Sequence, residues 1–202
     1  MKHVYDFIDK VRPIAKQVEY IYGIPQAISI AQSALETGWG RHVKGNAYFG
    51  VKGAGQDFMT HEYVDGVRVS VRDSFREYKS MEDSWMDYGK LLGKHPRYAL
   101  IHERDTIEGK VREIHAAGYA TDPEYANKVL SIIHRWNLDK GSFKDIPVDH
   151  WAEEAIEWSC RNGILEGYPD GEFKPDRSIS RAEVILVLYR FSKYVEGIHK
   201  GG

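Results

Sequence analysis

One glutamate, Glu36, stands where an apolar helix is predicted to end and a glycine-rich turn to begin. The residues from Ile24 to Leu35 are mostly apolar, which predicts a core helix. Gly38 and Gly40, on either side of Trp39, are residues that stop helices and turn the chain. The sequence therefore predicts one carboxyl group at the end of a core helix, next to an indole.

These surroundings predict a raised pKa for the Glu36 carboxyl group. The negative end of the helix dipole and the desolvating indole of Trp39 both favour the protonated form. A carboxylic acid that stays protonated near neutral pH can act as a general acid. The alternative is a solvated residue that only ends a helix, which is the usual situation of a glutamate.

A second segment, GNAYFGVKG at residues 45 to 53, alternates glycines with Asn46, Tyr48 and Phe49. This composition predicts a loop that presents aromatic faces to a ligand. Trp39, Asn46, Tyr48 and Phe49 are therefore the predicted substrate-binding residues.

The run ISIAQSALETGWGRHVKGNAYFGVKG, residues 28 to 53, resembles the signature of glycoside hydrolase family 73. These are bacterial N-acetylglucosaminidases that cut peptidoglycan, and they include autolysins, the flagellar rod-cap hydrolase and phage lysins. The resemblance covers roughly residues 1 to 140. It implies a lysozyme-like fold and cleavage of the β-1,4 bond between N-acetylglucosamine and N-acetylmuramic acid. It also implies that Glu36 is the catalytic acid.

Helices and one hairpin are predicted to position these residues. The hairpin covers residues 57 to 72, because valines alternate there with polar residues and Asp65-Gly66 is a strong tight-turn signal. Apolar spacing and end signals predict helices at residues 4 to 22, 25 to 36, 81 to 92, 96 to 103 and 107 to 117, and a last one after Asp122.

Glu62 lies on the predicted hairpin and is the candidate second carboxylate. A glycosidase commonly flanks its bond with two carboxyl groups, one as acid and one that activates water or stabilises positive charge. THEYVDG followed by FREYKS also resembles the β-lobe of the family, in which a glutamate faces the acid across the cleft. The alternative is a structural ion pair with Arg68 or Arg72 across the hairpin.

Tyr119 stands in the motif GYATDP, residues 118 to 123. Taken alone, a loop tyrosine is usually amphipathic surface filler. The family resemblance implies that this tyrosine lines the cleft near the scissile sugar, with a substrate-positioning or transition-state role.

Composition excludes several other classes. A net charge of −2 gives no reason to expect a nucleic-acid partner, and no apolar stretch is long enough for a membrane span. The single cysteine, Cys160, excludes an intramolecular disulfide and is predicted to be buried. No cofactor or metal is expected, since His61-Glu62 lacks the second histidine of a zincin motif and no other metal motif is present.

The first residues, MKHVYDFIDKVRP, lack the apolar core of a signal peptide. We expect action outside the cell at the wall, so that either a leader has been removed or the protein is a phage lysin released through a holin.

The polar run LDKGS at residues 138 to 142 is a predicted domain boundary, with domains at residues 1–139 and 140–202. Beyond it, the pattern predicts a helix capped by Asp149, a turn-rich loop and a last helix. Ser180 and Glu183 form a predicted capping box for that helix. Inward-facing positions are predicted at Ala152, Ala155, Ile156, Cys160, Val184, Leu186, Val187 and Leu188.

This second part resembles a single S-layer homology module, through GYPDG, the sequence FKP at residues 173 to 175 and SRAE at 180 to 183. Such modules bind secondary cell-wall polysaccharide in Gram-positive envelopes. The resemblance implies that Arg181 meets a ligand carboxylate and that Trp151 and Asp145 shape a sugar site. The alternative is that Arg181 pairs with Glu183 or Asp176 and that Trp151 is a core residue.

The fold class expected is α+β, with a mainly helical lysozyme-like domain, a β-hairpin lobe and a small all-α module. The function expected is a wall-anchored peptidoglycan hydrolase with glycan strands and wall polysaccharide as partners. Two alternatives are a non-catalytic wall-binding protein and a muramidase on the same fold. Because the module family usually carries three tandem copies, this single module is expected either to dock on the catalytic domain or to assemble as a homotrimer.

Overall fold

A computed structural model of the protein divides into two compact units, Met1–Arg135 and Trp136–Gly202. The structure describes residues 2–64, 67–140, 143, 145–147 and 150–200. The predicted turn Asp65-Gly66 and the predicted cap Asp149 lie outside the described residues, and the predicted boundary at residues 139 and 140 stays a prediction. No helix in the described part of the chain is long and apolar enough to cross a membrane.

Two helices form the centre of the first unit. Helix α1, Lys2–Tyr22, buries a stripe that includes Phe7, Ile8 and Val11. Helix α2, Gln26–Thr37, is buried along most of its length, which confirms the predicted core helix. It runs one residue past Glu36 and ends at Gly38, whose φ of 56° is left-handed and suits glycine.

The predicted hairpin is present and is longer than residues 57 to 72. Strand β1, Gly55–Val64, pairs antiparallel with β2, Val67–Arg76, in a register that puts Glu62 opposite Val69. Gly55 is required where β1 begins and β2 ends, because a Cβ atom there would lie 2.0 Å from the Phe75 carbonyl oxygen.

The remaining helices of the first unit are α3 (Met81–Lys94), the 3-10 helix Pro96–Glu103, α4 (Ile107–Ala116) and α5 (Tyr125–Arg135). Thr106 caps α4 as predicted, since its side chain accepts from the Gly109 N–H at 3.0 Å. Of the predicted core residues, Trp85, Tyr88, Leu92, Tyr98 and Ile101 are buried. Leu91 is only half-buried.

The second unit contains α6 (Glu153–Arg161) and α7 (Arg181–Lys200). The predicted capping box is confirmed: Ser180 N–H donates to the Glu183 carboxylate at 2.7 Å, and Glu183 N–H donates to Ser180 Oγ at 3.2 Å. Cys160 is buried, also as predicted. The mainly helical fold with one small antiparallel sheet confirms the expected class.

Several inward-facing assignments in the second unit are wrong. Ala155 is exposed on α6. On α7, Val184, Leu186 and Leu188 are exposed, and only Val187 is partly buried. The helical spacing of apolar residues predicts a face that packs within the same unit. The described part of this unit, however, has no further helix that could cover that face.

Candidate active site

A cleft of about 890 Å³ opens in the first unit at the end of α2. Its walls come from the loop after α2, the hairpin, the 3-10 helix and the segment that leads into α5. Glu36, Glu62 and Tyr119 all line it. The structure thus brings the three predicted catalytic residues into one cleft, although they lie on three different elements.

A tight turn presents Glu36 to this cleft. Gly38, Trp39 and Gly40 are all left-handed, with φ values of 56°, 62° and 75°. Thr37 fastens the turn, because its hydroxyl donates to the Ser33 carbonyl at 2.6 Å and accepts from the Gly40 N–H at 2.8 Å. The chain therefore turns away directly after Glu36 and leaves its carboxyl group at the cleft surface.

Glu36 is an exposed residue, because its side chain opens to the cleft, but neighbouring protein atoms partly bury its carboxyl group. This burial raises the pKa of Glu36 to about 7, and a hydrogen bond from Tyr125 opposes part of the effect. The Tyr125 hydroxyl lies 3.4 Å from Glu36 Oε1. The raised pKa predicted from the sequence is confirmed, and it makes Glu36 a group that can donate a proton near neutral pH.

Aromatic residues form the inner wall of the cleft. The Phe49 ring stacks on Tyr88, with ring centroids 3.8 Å apart. Tyr119 packs against Tyr125 at 5.7 Å and donates its hydroxyl proton to the Phe49 carbonyl oxygen at 2.9 Å. Burial raises the pKa of Tyr119 well above its usual value, so this hydroxyl stays protonated.

The prediction that Tyr48 and Phe49 present ring faces to a ligand is wrong for both side chains. Tyr48 and Phe49 are only 6% and 2% exposed, and both rings pack against Trp85 in the core. By sequence, an aromatic residue between glycines is compatible with either an exposed or a buried ring. In this loop the rings are buried, and their burial stabilises the loop. Phe49 still borders the cleft, where its carbonyl oxygen holds Tyr119.

Trp39 and Asn46, the other two predicted substrate-binding residues, have contacts away from the cleft lining. The Trp39 ring packs edge-on against Phe7 at 5.9 Å. Asn46 donates its amide protons to the Tyr78 and Lys79 carbonyl oxygens at 3.0 and 3.2 Å. Asn46 therefore holds the loop to the segment after β2.

The second carboxylate, Glu62, forms an ion pair with Lys52, which also pairs with Asp73 on the neighbouring strand. The expected alternative partners are wrong: Arg72 pairs with Asp57 at 3.4 Å, and Lys52 comes from the loop rather than from the hairpin. Sequence reasoning missed Lys52 and Asp73, because neither has a local motif.

The family comparison agrees with this geometry. Residues 12–138 match the glucosaminidase family, described as mannosyl-glycoprotein endo-beta-N-acetylglucosaminidase. The chain belongs to the glucosaminidase family. Residues 142–185 match the S-layer homology domain. Both resemblances predicted from the sequence are confirmed.

The relatives of this glucosaminidase domain include bacterial wall enzymes. Peptidoglycan hydrolase FlgJ of Vibrio parahaemolyticus is 37% identical over 139 residues, which cover 62% of this chain and 45% of that protein. Exo-glucosaminidase LytG of Bacillus subtilis is 31% identical over 146 residues, 66% of this chain and 52% of that protein. The chain thus spans about half the length of these curated relatives.

A solved structure shares the fold of the glucosaminidase domain. A peptidoglycan hydrolase mutant from Sphingomonas sp. A1 superimposes with a TM-score of 0.60 at 33% identity. The match covers 66% of this chain and 95% of that one.

In the S-layer homology unit, the three predicted ligand residues have different surroundings. Trp151 is 91% exposed, so the alternative core role is wrong. Arg181 is also exposed, and no hydrogen bond or ion pair joins its side chain to another described residue. Glu183, the expected alternative partner of Arg181, pairs with Arg177 instead.

Asp145 differs from these two residues because the loop of its own unit occupies its carboxylate. Its two oxygens accept from the backbone N–H groups of Phe173 and Lys174 at 2.8 and 2.7 Å. These bonds fix the FKP segment next to the α6 region. Asp145 therefore shapes the loop directly, and any sugar site there would depend on it indirectly.

Proposed function

We propose that this chain is a peptidoglycan hydrolase that cuts the β-1,4 bond between N-acetylglucosamine and N-acetylmuramic acid, with Glu36 as general acid. The observation that supports this most strongly is the desolvated Glu36 carboxyl group in a cleft shared with Glu62 and Tyr119. The glucosaminidase family and the names of the FlgJ and LytG relatives support the substrate class.

In the proposed reaction, protonated Glu36 donates its proton to the glycosidic oxygen as the bond to the anomeric carbon breaks. The bonding electron pair leaves with the oxygen, and positive charge develops on the sugar ring. Glu62, which is paired with Lys52, stabilises that charge or positions water. The Tyr119 hydroxyl is fixed on the Phe49 carbonyl oxygen. The aromatic ring of Tyr119 therefore contacts the sugar and positions it.

The test is the analysis of new reducing ends released from purified Gram-positive peptidoglycan. We expect N-acetylglucosamine ends from the wild type and none from Glu36→Gln. N-acetylmuramic acid ends would move the specificity to a muramidase. Wall binding without cleavage by the wild type would replace this proposal with a non-catalytic wall-binding protein. Full activity in a chelator is expected as well, since metal-independent chemistry is predicted.

For the second unit, the proposed role is anchoring to secondary cell-wall polysaccharide outside the cell. The indole of Trp151 and the guanidinium of Arg181 are both exposed, which suits stacking on a sugar and a two-pronged bond to a carboxylate. Anchoring raises the local concentration of the enzyme at its insoluble substrate. We expect Arg181→Ala and Trp151→Ala to reduce sedimentation with walls, while Arg190→Ala, on the same helix and paired with Glu166 at 3.5 Å, serves as the control.

The proposed assembly is a homotrimer held together by α7. Its exposed apolar residues include Val184, Ile185, Leu186, Leu188, Tyr189 and Phe191. Three copies of this helix would bury such surface against one another, in place of the three tandem modules usual for the family. Sedimentation equilibrium at micromolar concentration should give a trimer that Leu188→Asp dissociates. A wild-type monomer under the same conditions would contradict this.

A further inference from the structure

A chain of hydrogen bonds leads from the core of the first unit to Glu36. The Tyr88 hydroxyl contacts Gln32 Oε1 at 2.5 Å, and Gln32 Nε2 donates to the Tyr125 hydroxyl oxygen at 2.8 Å. The Tyr125 hydroxyl in turn faces Glu36 Oε1 at 3.4 Å. Tyr88, Gln32 and Tyr125 are 0%, 1% and 4% exposed, so water does not compete for these bonds.

This chain has one direction. An amide oxygen only accepts and an amide nitrogen only donates, so Tyr88 must give its proton to Gln32, and Gln32 must give one to Tyr125. The Tyr125 oxygen is thereby used as an acceptor, and its own proton is left for Glu36. With the amide reversed, Tyr125 would donate to Gln32, and Glu36 would lose its donor.

The two oxygens of Glu36 consequently differ. Oε1 receives the Tyr125 proton, whereas Oε2 lies on the side of Gly50, where a Cβ atom would come within 3.5 Å of it. Gly50 lines the cleft. An oxygen that already accepts a hydrogen bond is the carbonyl-like oxygen of a carboxylic acid, so the acidic proton belongs on the other one.

We propose that Tyr88, Gln32 and Tyr125 form a positioning relay that holds the transferable proton of Glu36 on Oε2, towards the cleft at Gly50. The proposal rests on the proposed function of Glu36 as general acid. The proton passes from Oε2 to the glycosidic oxygen, which takes the electron pair of the broken bond. The Tyr125 hydroxyl then stabilises the new carboxylate at Oε1, and this hydrogen bond is stronger once the acceptor is charged.

Tyr88 and Gln32 are positioning residues rather than catalytic ones. Neither lines the cleft, and the Tyr88 ring is held by its stack on Phe49. Their effect on the reaction therefore has to pass through Tyr125. The dependence on Tyr125 distinguishes an effect of the relay from a general loss of packing.

The test measures the pKa of Glu36 directly. The NMR chemical shift of its carboxyl carbon is followed as a function of pH in isotopically labelled protein. Because the Tyr125 bond favours the carboxylate, Tyr125→Phe should raise this pKa by about half a unit or more. Tyr88→Phe should raise it by a smaller amount. In hydrolysis we expect losses of roughly ten-fold and three-fold in kcat, respectively, with KM unchanged for Tyr88→Phe.

The decisive measurement is a double-mutant cycle. If Tyr88 acts through Tyr125, Tyr88→Phe will shift the pKa of Glu36 in the wild type and leave it unchanged in the Tyr125→Phe background. Tyr78→Phe is the control, because it removes a tyrosine hydroxyl bonded to the Asp87 carboxylate at 2.7 Å, outside the cleft lining. The control should keep the wild-type pKa and kcat.

The other titratable groups that border Glu36 stay the same in every variant. They include Tyr119 in the loop before α5, Tyr98 in the 3-10 helix, and His42, Lys52 and Glu62 across the cleft. A change in the pKa between these proteins therefore reports on the relay alone.

The results separate the two proposals. Equal pKa values in all variants, or additive shifts, would overturn the relay, while inactivity of Glu36→Gln would leave the general acid in place. Undiminished hydrolysis by Glu36→Gln would overturn the proposed function and the relay together.

Discussion

The two sides of the cleft hold their carboxyl groups in opposite ways. Glu36 lies in the last turn of a buried helix, and its carboxyl group accepts a hydrogen bond from a buried tyrosine, Tyr125. Glu62 lies on a two-stranded hairpin and is paired with Lys52, whose side chain is 57% exposed. The Glu36 side of the cleft contacts a neutral hydroxyl group, and the Glu62 side contacts an ammonium group.

The difference matches the work that each group has to do. An acid must keep its proton until the bond breaks, so its surroundings should disfavour the charged form. A group that stabilises positive charge must itself be negative, and Glu62 contacts an ammonium group. The two carboxyl groups of the cleft therefore differ in their partners, a neutral hydroxyl for Glu36 and an ammonium group for Glu62.

The largest effect is expected from the fixed side. Glu36→Gln keeps the shape and removes the transferable proton, so kcat should fall by at least about a thousand-fold. Turnover of soluble glycan fragments measures this. A loss of less than ten-fold would place the acid elsewhere.

Glu62→Gln tests the hairpin side. Because this carboxylate stabilises charge without transferring a proton, we expect a smaller loss, on the order of a hundred-fold in kcat. The matched control is Asp57→Asn on the same strand, which breaks the pair with Arg72 and should keep most of the activity. A loss as large as that of Glu36→Gln would show that the two sides are equally important.

The pH profile separates the two sides directly. The pKa of Glu36 is raised to about 7, and the reaction needs its protonated form. The rate constant kcat/KM should therefore be level below that pH and fall about ten-fold for each further unit as pH rises. In Glu62→Gln the fall should stay at the same pH, since it belongs to Glu36. A profile that is flat up to pH 9 would contradict the assignment.

The smallest effect is expected for Lys52→Met. This change removes the ammonium group from Glu62 and Asp73 but keeps both carboxyl groups in place. Because exposed ion pairs contribute little, we expect a decrease of only a few-fold in kcat. The difference in kcat between the wild type and Lys52→Met should be smaller at high salt, because salt screens the ion pair of the wild type.

Local sequence signals predicted much of the fold and the position of Glu36, whereas the choice of Glu62 depended on the family resemblance. The apolar run before Glu36 and the glycines after it encode the end of α2, and the Ser180 and Glu183 capping box encodes the start of α7. These signals work because the contacts involved lie within a few residues. The role of Tyr119 came from family resemblance, and it remains a prediction.

The errors and omissions concern contacts between distant residues. Tyr48 and Phe49 were assigned to a ligand because nothing in their loop shows that Trp85 receives their rings. Leu186 was assigned to a packed face, because helical spacing shows an apolar stripe without showing what covers it. The partners of Gln32 lie 56 and 93 residues away, so no local pattern could reveal them.

Helix α5 has a consequence for when the enzyme becomes active. Tyr125, at its start, contacts Glu36 across 89 residues of chain, and α5 packs directly on α2. Closing so long a loop has an entropic cost that only the finished packing offsets, so this contact forms late in folding. A chain that has made α2 but not α5 has the glutamate without its environment. On the proposed function, a partly synthesised or partly unfolded chain would therefore lack the surroundings that make Glu36 an acid.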